Sequence, residues 1–134
     1  MQKYLNKVSK RKIVITGGKG LLGSSFYNKY KKQYIIIRYP HRIEYFSKFK
    51  KWLKNKNFNY FIHFAALTKS ESIKRKKSLN LINVKSTINL IKNLNQEKIR
   101  NFKYFLFISS SHVYGTSSKK VKENKKTSPN NSYG

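Results

Sequence analysis

Four short apolar runs, separated by segments with helical spacing, dominate the hydrophobic pattern of this chain. The runs are rich in Ile, Phe and Tyr and are continuous rather than alternating, which is typical of parallel strands buried on both faces. The predicted strands are residues 12–16, 34–38, 60–66 and 104–109. Apolar side chains three and four positions apart predict helices at residues 21–32, 44–54 and 79–95. This alternation predicts an α/β fold with a doubly wound parallel sheet and helices on both faces.

The remaining segments are polar and mostly basic. Residues 1–11 form a basic lead-in, residues 69–77 a basic loop, and residues 115–131 a loop rich in Ser, Lys and Asn. The sequence contains no internal repeat, and its 134 residues are enough for one domain or part of one. We therefore expect a single α/β domain over residues 12–134.

A glycine-rich segment follows the first predicted strand. Gly17, Gly20 and Gly23 follow Thr16 at intervals of three and lead into the first predicted helix. In this context the first glycine permits a sharp turn, the second lets the backbone approach a pyrophosphate, and the third lets the helix pack closely on the strand. The N–H groups and the positive dipole end of the helix then favour an anion. The segment predicts a dinucleotide-binding turn in a Rossmann-type sheet.

The charge of the chain is extreme, because 31 Lys and Arg oppose four acidic residues and give a formal net charge of +27. Such a balance is typical of proteins that bind nucleic acids or anionic membranes. The lysines, however, are spread along the whole length, and the aromatic residues fall mostly in apolar runs. A lysine-rich solvated surface is therefore an alternative to a nucleic-acid interface. We expect non-specific polyanion binding at low salt in either case.

Cysteine is absent from the sequence, which excludes disulfides and thiolate metal sites, and we expect no metal centre. No apolar run is long enough to cross a bilayer. The basic N-terminus lacks the apolar segment of a secretory signal. These features predict a cytoplasmic protein without a membrane partner.

The end of the second predicted strand bears on the choice of cofactor. In this kind of sheet, an acidic residue about 20 positions after the glycine turn binds the ribose 2′-hydroxyl of NAD. Here Arg38 stands at that place, Arg42 follows, and the first carboxylate is Glu44. An arginine would pair with a 2′-phosphate instead. The sequence therefore favours NADP over NAD, with an ordinary surface role for Arg38 as the alternative.

Five segments resemble, in order, the motifs of the extended short-chain dehydrogenase/reductase family, the NAD(P)-dependent epimerase/dehydratase group. The segments are Thr16–Gly23 (T-G-x-x-G-x-x-G), His63–Ala66 (H-x-A-A), Asn83–Leu90 (N-V-x-G-T-x-N-L), Ser109–Gly115 (S-S-x-x-V-Y-G) and Pro129–Gly134 (the start of P-x-x-x-Y-G-x-S-K). In the third segment Ser86 replaces the glycine. The resemblance covers the chain from residue 12 onward and implies an NAD(P)-binding Rossmann domain.

The resemblance also implies a role for each matching residue. Tyr133 would be the catalytic acid/base, and Ser110 would hydrogen-bond the substrate oxygen at the reacting carbon. A tyrosine in this role must lose its proton well below its usual pKa of about 10. The family achieves this with a lysine four residues further on and with the charge of the nicotinamide. The implied cofactor-binding residues are Thr16, Gly17, Gly20, Leu21, Leu22, Gly23, Arg38, Ala65, Ala66 and Ser109. His63 and Asn83 are expected to support the site structurally.

The implied chemistry is hydride transfer between NADP or NAD and a carbon of a nucleotide sugar. His112 stands where dehydratases of the family have an acidic triplet, which disfavours 4,6-dehydratase chemistry. A histidine can move a proton near pH 7, which would suit an epimerase or a reductase-epimerase; contact with substrate or loop is the alternative. The segments Ala65–Thr68 and Pro129–Gly134 also resemble dTDP-4-dehydrorhamnose reductases, although Ser110 and Ser111 replace the T-D pair of that group.

Further parts implied by the resemblance lie outside this sequence: later strands, the active-site lysine after Tyr133, and a substrate-binding C-terminal part. We therefore expect a C-terminally incomplete Rossmann sheet that binds a dinucleotide weakly and is inactive alone. A nucleotide sugar is the expected substrate, and whether the protein forms a homodimer is left undecided by the sequence. Two alternatives also stay open: a non-catalytic dinucleotide-binding module, and a basic nucleic-acid-binding protein on a Rossmann scaffold.

Overall fold

A computed structural model of the protein describes residues 10–75, 77–117 and 120–134. A four-stranded sheet forms its centre. The strands are β1 (Lys12–Thr16), β2 (Ile35–Arg38), β3 (Tyr60–His63) and β4 (Tyr104–Phe107). All pairings are parallel and the strand order is β2-β1-β3-β4. The predicted sheet is thus confirmed, with β3 and β4 ending a few residues early. Most of the predicted lead-in, residues 1–9, lies outside the described residues.

Four α-helices among the described residues connect or follow the strands. They are α1 (Leu21–Tyr30), α2 (Phe46–Leu53), α3 (Lys69–Arg75) and α4 (Ser86–Gln96), and a π-helical turn (Asn80–Lys85) leads into α4. Helix α3 shows that the prediction of a loop at residues 69–77 is wrong. Thr68 and Glu71 form a capping box at its start: the Thr68 hydroxyl accepts the Glu71 N–H at 3.3 Å, and the Glu71 carboxylate accepts the Thr68 N–H at 3.1 Å.

The helices cover both faces of the sheet, as predicted. On one face Val14 and Phe61 lie in a buried cluster with residues of α2 and α4. On the other face Ile13, Ile15 and Ile62 pack against α1. Alternate strand residues therefore point into two separate apolar layers. This arrangement leaves the carboxyl ends of the strands, where β1, β3 and β4 run into loops, free to form a site.

The sheet face that carries α1 is open over β3 and β4. A groove of about 550 Å³ runs there and is lined mainly by aromatic and aliphatic side chains. Tyr60 and Tyr104 stack across the two strands with ring centroids 6.0 Å apart, and Tyr104 is 69% exposed. In the part of the chain that the structure describes, β4 is an edge strand, and Phe26 and Tyr30 of α1 line one side of this groove.

Within that same part, no helix combines the length and the apolar character that a membrane span requires.

Candidate functional site

The glycine turn joins β1 to α1 and packs against the end of β3. Gly17 has a φ of 65°, and a Cβ at this position would lie 2.7 Å from the backbone nitrogen of Ala65. A Cβ on Gly23 would press on the Gly17 carbonyl and lie 2.9 Å from Gly18 Cα. A Cβ on Gly20, in contrast, would approach only the Gly17 oxygen, at 3.3 Å. The turn is therefore closed towards the sheet and open at Gly20, as a cradle for a ligand requires.

The start of α1 adds donors and apolar surface to this cradle. Gly20 is the N-cap in extended backbone, and the first turn contains no acidic residue. The first N–H groups of a helix have no acceptor within the helix, and its dipole favours an anion there. Leu21 is 83% exposed and Leu22 is also exposed. A pyrophosphate with attached nucleosides fits this combination of N–H donors and exposed apolar side chains.

A buried chain of hydrogen bonds connects the turn to β3 and α4. The Ala65 N–H donates to the Thr16 hydroxyl at 3.2 Å, and Thr16 Oγ1 lies 2.6 Å from Nδ1 of His63. Nε2 of His63 lies 3.0 Å from the Thr87 hydroxyl, which donates to the Asn83 carbonyl at 2.8 Å. Because the Thr87 proton is used on that carbonyl, Nε2 is assigned as the donor and Nδ1 as the acceptor of the Thr16 proton.

His63 is neutral in this network. Its side chain is 1% exposed, and desolvation by burial lowers its pKa to about 4. A neutral imidazole with both nitrogens occupied is held in place and offers no free lone pair. His63 therefore supports the strand end, as the sequence predicts, and so fixes the positions of Thr16 and Ala65.

Asn83 and Ser86 explain how the segment before α4 fits the site. The Asn83 side chain donates to the Leu67 carbonyl and accepts the Leu67 N–H, both at 2.8 Å. This pair of bonds holds the loop after β3 and confirms the predicted structural role of Asn83. Ser86, which replaces the glycine of the motif, is fully buried and donates to the Leu81 carbonyl at 2.8 Å. The serine hydroxyl that stands in place of the motif's glycine thus has a hydrogen-bond acceptor in the π-helical turn.

Arg38 lies beside the glycine turn, at the carboxyl end of β2. A Cβ on Gly18 would lie 2.8 Å from Cγ and Cδ of Arg38, so the arginine stem passes directly over this glycine. The guanidinium carbon of Arg38 lies 4.5 Å from the ring centroid of Tyr27 on α1. The arginine is exposed and remains available to an anionic ligand at the turn.

Glu44, the first carboxylate after β2, is already paired. Its side chain is 11% exposed and lies 2.6 Å from Nζ of Lys77 and 3.6 Å from the guanidinium of Arg42. Burial alone would raise the pKa of Glu44, but the hydrogen bond from Lys77 and the charges of Lys77 and Arg42 lower it on balance. Glu44 is therefore engaged between two cations, and Arg38 lies beside the turn.

A second part of the site forms where the chain returns after β4. A cleft of about 520 Å³ is lined by Thr68, Ser70, Ile73, His112, Asn131 and Tyr133. The rings of His112 and Tyr133 meet edge to face, with centroids 5.3 Å apart and an angle of 83°. The structure thus brings together His112 and Tyr133, two of the residues predicted to be catalytic.

Asn131 shapes this cleft and was not recognised in the sequence. Its side-chain oxygen accepts the N–H groups of Tyr133 and Gly134, at 2.9 and 3.1 Å, and its amide nitrogen lies 3.4 Å from Nδ1 of His112. Asn side chains commonly hydrogen-bond the backbone two residues further along the chain. The sequence Asn131–Gly134 could therefore have indicated this turn. The side chain holds Tyr133 beside His112.

The predicted serines occupy less central places. Ser110 caps a 3-10 turn (Ser111–Tyr114), its hydroxyl accepting the His112 N–H at 3.3 Å. Accepting this bond leaves the hydroxyl proton of Ser110 free for another acceptor. Ser109 is exposed, as is Ala66. Among the described residues, neither serine lines the cleft of His112 and Tyr133.

A parallel sheet with a glycine turn after β1 and a helix N-terminus facing open space defines a Rossmann-type α/β protein. The sequence matches the NAD dependent epimerase/dehydratase family over residues 13–134, and the chain belongs to this family. Comparison with curated proteins gives no significant match.

Solved structures of similar fold include the following three proteins. The UDP-Glc/GlcNAc 4-epimerase of Campylobacter jejuni is 23% identical, with a TM-score of 0.76 over 90% of this chain and 44% of that one. WbmG of Bordetella bronchiseptica, in complex with NAD and UDP, is 18% identical, with a TM-score of 0.77 over 96% and 47%. RMD of Pseudomonas aeruginosa, complexed with NADPH, is 22% identical, with a TM-score of 0.76 over 92% and 44%. The chain spans less than half the length of each.

Proposed function

We propose that this chain is the dinucleotide-binding part of an epimerase- or reductase-type oxidoreductase that acts on a carbon of a nucleotide sugar. Membership of the family and the NAD- and NADPH-bound proteins of similar fold support this proposal. The observation that carries it is the pairing of two features of this chain: a glycine cradle that is open at Gly20, and a separate cleft in which His112 and Tyr133 meet.

In this proposal the glycine turn binds the pyrophosphate of the cofactor through backbone N–H groups of the first turn of α1. Leu21 and Leu22 pack against it, and Ala65 and Ala66 leave space beside β3. Arg38 pairs with a ribose 2′-phosphate, which makes NADP the preferred cofactor. The Glu44 carboxylate, held by Lys77 and Arg42, does not compete for that ribose. The bound cofactor supplies the hydride donor or acceptor.

The chain's own groups then handle the proton. Tyr133 gives a proton to, or takes one from, the sugar oxygen at the reacting carbon, and Ser110 donates its free hydroxyl proton to the same oxygen. Asn131 fixes the backbone on which Tyr133 stands. His112 lies edge-on to Tyr133 in the same cleft, where it contacts the substrate or exchanges a proton with it. The lysine that the family resemblance implies four residues after Tyr133 would favour the phenolate.

Calorimetric titration of the chain with NADPH and with NADH tests the cofactor part. We expect both to bind, NADPH more tightly. A matched pair of variants locates the site: Gly20→Ala and Gly20→Leu add side chains of increasing size at a backbone angle that any residue adopts, where a Cβ would meet only the Gly17 oxygen, at 3.3 Å. Affinity should fall in the order wild type, Ala, Leu, with a much smaller change in melting temperature than Gly17→Ala causes. Absence of nucleotide binding, or equal binding by the Leu variant, would contradict the proposal.

Turnover is tested with a panel of UDP-, GDP- and dTDP-sugars, following NADPH by absorbance. Because the implied lysine lies outside this sequence, we expect the 134-residue chain to bind cofactor without turnover. If this chain does turn over a nucleotide sugar and Tyr133→Phe has the same turnover, Tyr133 is not the catalytic acid/base.

The net charge of +27 favours a second candidate, a nucleic-acid-binding role. Fluorescence anisotropy with labelled RNA and DNA between 50 mM and 200 mM salt distinguishes the two. Non-specific adhesion predicts binding that is lost at the higher salt. Binding that persists there, in a protein whose melting temperature NADPH does not raise, would favour the nucleic-acid role instead.

A further inference from the structure

Arg38 is held from two sides by residues with no assigned role in cofactor recognition. Its stem crosses the backbone of Gly18, where a Cβ would lie 2.8 Å from two of its carbons. Its guanidinium lies 4.5 Å from the ring centroid of Tyr27. An exposed arginine otherwise has many rotamers, and restricting them costs binding free energy when a ligand orders the side chain.

Tyr27 is a firm platform for this contact. It lies in α1 and packs against the buried cluster of Ile13, Ile15 and Ile62, so its ring is fixed by the core of the sheet. A guanidinium that faces an aromatic ring keeps its N–H edges free, and those edges are the ones that grip a phosphate with two hydrogen bonds. The contact therefore orders Arg38 without using the donors that an anion needs.

We infer that Tyr27 is a specificity-determining positioning residue, which sets the preference for a 2′-phosphorylated dinucleotide by holding Arg38 over Gly18. The inference rests on the proposed cofactor function. It predicts that the effect of Tyr27 on binding passes entirely through Arg38. Cation–π contacts at exposed sites change an equilibrium constant by about two- to fivefold, and this is the expected size of the effect on the NADPH-to-NADH affinity ratio.

A double-mutant cycle tests the inference. Tyr27→Leu keeps an apolar side chain on the cluster and removes the ring; Arg38→Leu removes the guanidinium. We expect Tyr27→Leu to lower the NADPH-to-NADH ratio about two- to fivefold with NADH affinity unchanged. It should have no further effect in the Arg38→Leu background. Tyr27→Phe retains the ring and should restore the wild-type ratio.

Two further variants control for structure. Lys31 also lies near the Tyr27 ring, at 5.7 Å from its centroid, and Lys31→Gln should leave the ratio unchanged. Arg38→Lys keeps the charge at an exposed site and loses the flat stacking surface. It should lower the NADPH-to-NADH affinity ratio as Tyr27→Leu does. This variant therefore tests the inference even where Tyr27→Leu lowers the melting temperature.

The outcomes separate the inference from the proposed function. Loss of NADPH preference in Arg38→Leu but not in Tyr27→Leu or Arg38→Lys would overturn the inference and leave the cofactor proposal standing. An equal loss of NADPH and NADH affinity in Tyr27→Leu would also overturn it, because the ring would then act on the fold. A wild-type chain that binds NADPH and NADH equally would overturn both the NADP preference and the inference.

Discussion

His63 should make the stability of the protein depend on pH in a way that one substitution removes. In the folded chain its two ring nitrogens are occupied by Thr16 and Thr87, and burial lowers its pKa from 6.5 to about 4. Because the folded-state pKa is the lower one, protonation favours the unfolded chain. The part of the folding stability that depends on neutral His63 is therefore fully present above pH 6.5, declines as the pH falls, and is lost below pH 4.

The size of the effect follows from the two pKa values. A shift from 6.5 to about 4 corresponds to about 3 kcal/mol when fully expressed. At pH 5 linkage gives a loss of about 2 kcal/mol relative to pH 7.5. The background from carboxylates is small, because the sequence has four acidic residues in all. His63→Gln keeps one donor and one acceptor for the two threonines and removes the titration.

Urea unfolding at pH 7.5, 6.5, 5.5 and 5.0, at constant ionic strength, measures the difference. The free energy of unfolding of the wild type should fall by about 2 kcal/mol over this range, and that of His63→Gln should change much less. The variant should be the less stable protein at pH 7.5. If the two proteins lose stability in parallel, proton uptake by His63 on unfolding is not the cause.

Three further substitutions test the geometry of the site by thermal and urea unfolding. Gly17→Ala combines a left-handed φ with overlap on Ala65 and should cost about 3 kcal/mol; a smaller loss than Gly20→Ala would contradict the close packing. Asn83→Ala removes both hydrogen bonds to the loop after β3 and should lower the free energy of unfolding by about 1–3 kcal/mol. An unchanged free energy of unfolding would show that these bonds are not needed to hold the loop. Glu44→Gln should cost about 1 kcal/mol at pH 7. That difference should shrink as the pH falls through the lowered pKa of Glu44, and a pH-independent difference would exclude its ion pair with Lys77 as the cause.

Much of the sheet could be predicted because its strands are continuous apolar runs. Ile13 to Ile15 is such a run, and in the structure all three residues are buried, on alternate faces. The glycine turn could be predicted because the steric needs of Gly17 and Gly23 are local, and the structure shows both close approaches. The structural roles of His63 and Asn83 were implied by the family resemblance, and their hydrogen bonds agree with it.

Helix α3 was missed because its signal differs from hydrophobic periodicity. Its only large aliphatic residue, Ile73, is exposed, so no apolar face marks the segment. The capping box formed by Thr68 and Glu71 was present in the sequence as T-x-x-E and would have indicated a helix start.

Contacts between distant residues could not be read from the sequence. Glu44 and Lys77 are 33 positions apart, and nothing local shows that they pair. The contact of the Arg38 guanidinium with the Tyr27 ring likewise depends on how α1 lies against β2. The preference for NADP and the roles of Ser110, His112 and Tyr133 in the reaction stay predictions, for which the experiments above are designed.

Because one edge of the sheet is open, we expect self-association of this protein to depend on ionic strength. Along β4 the backbone groups on the outer side have no strand partner among the described residues, and Tyr104, Leu106 and Phe107 are exposed beside them. An uncovered edge of this kind pairs readily with another copy. The net charge of +27 opposes that approach, but its reach shrinks from about 8 Å at physiological salt to about 3 Å at 1 M. We therefore expect lysine repulsion to keep copies of this chain apart in dilute buffer and to fail in concentrated salt.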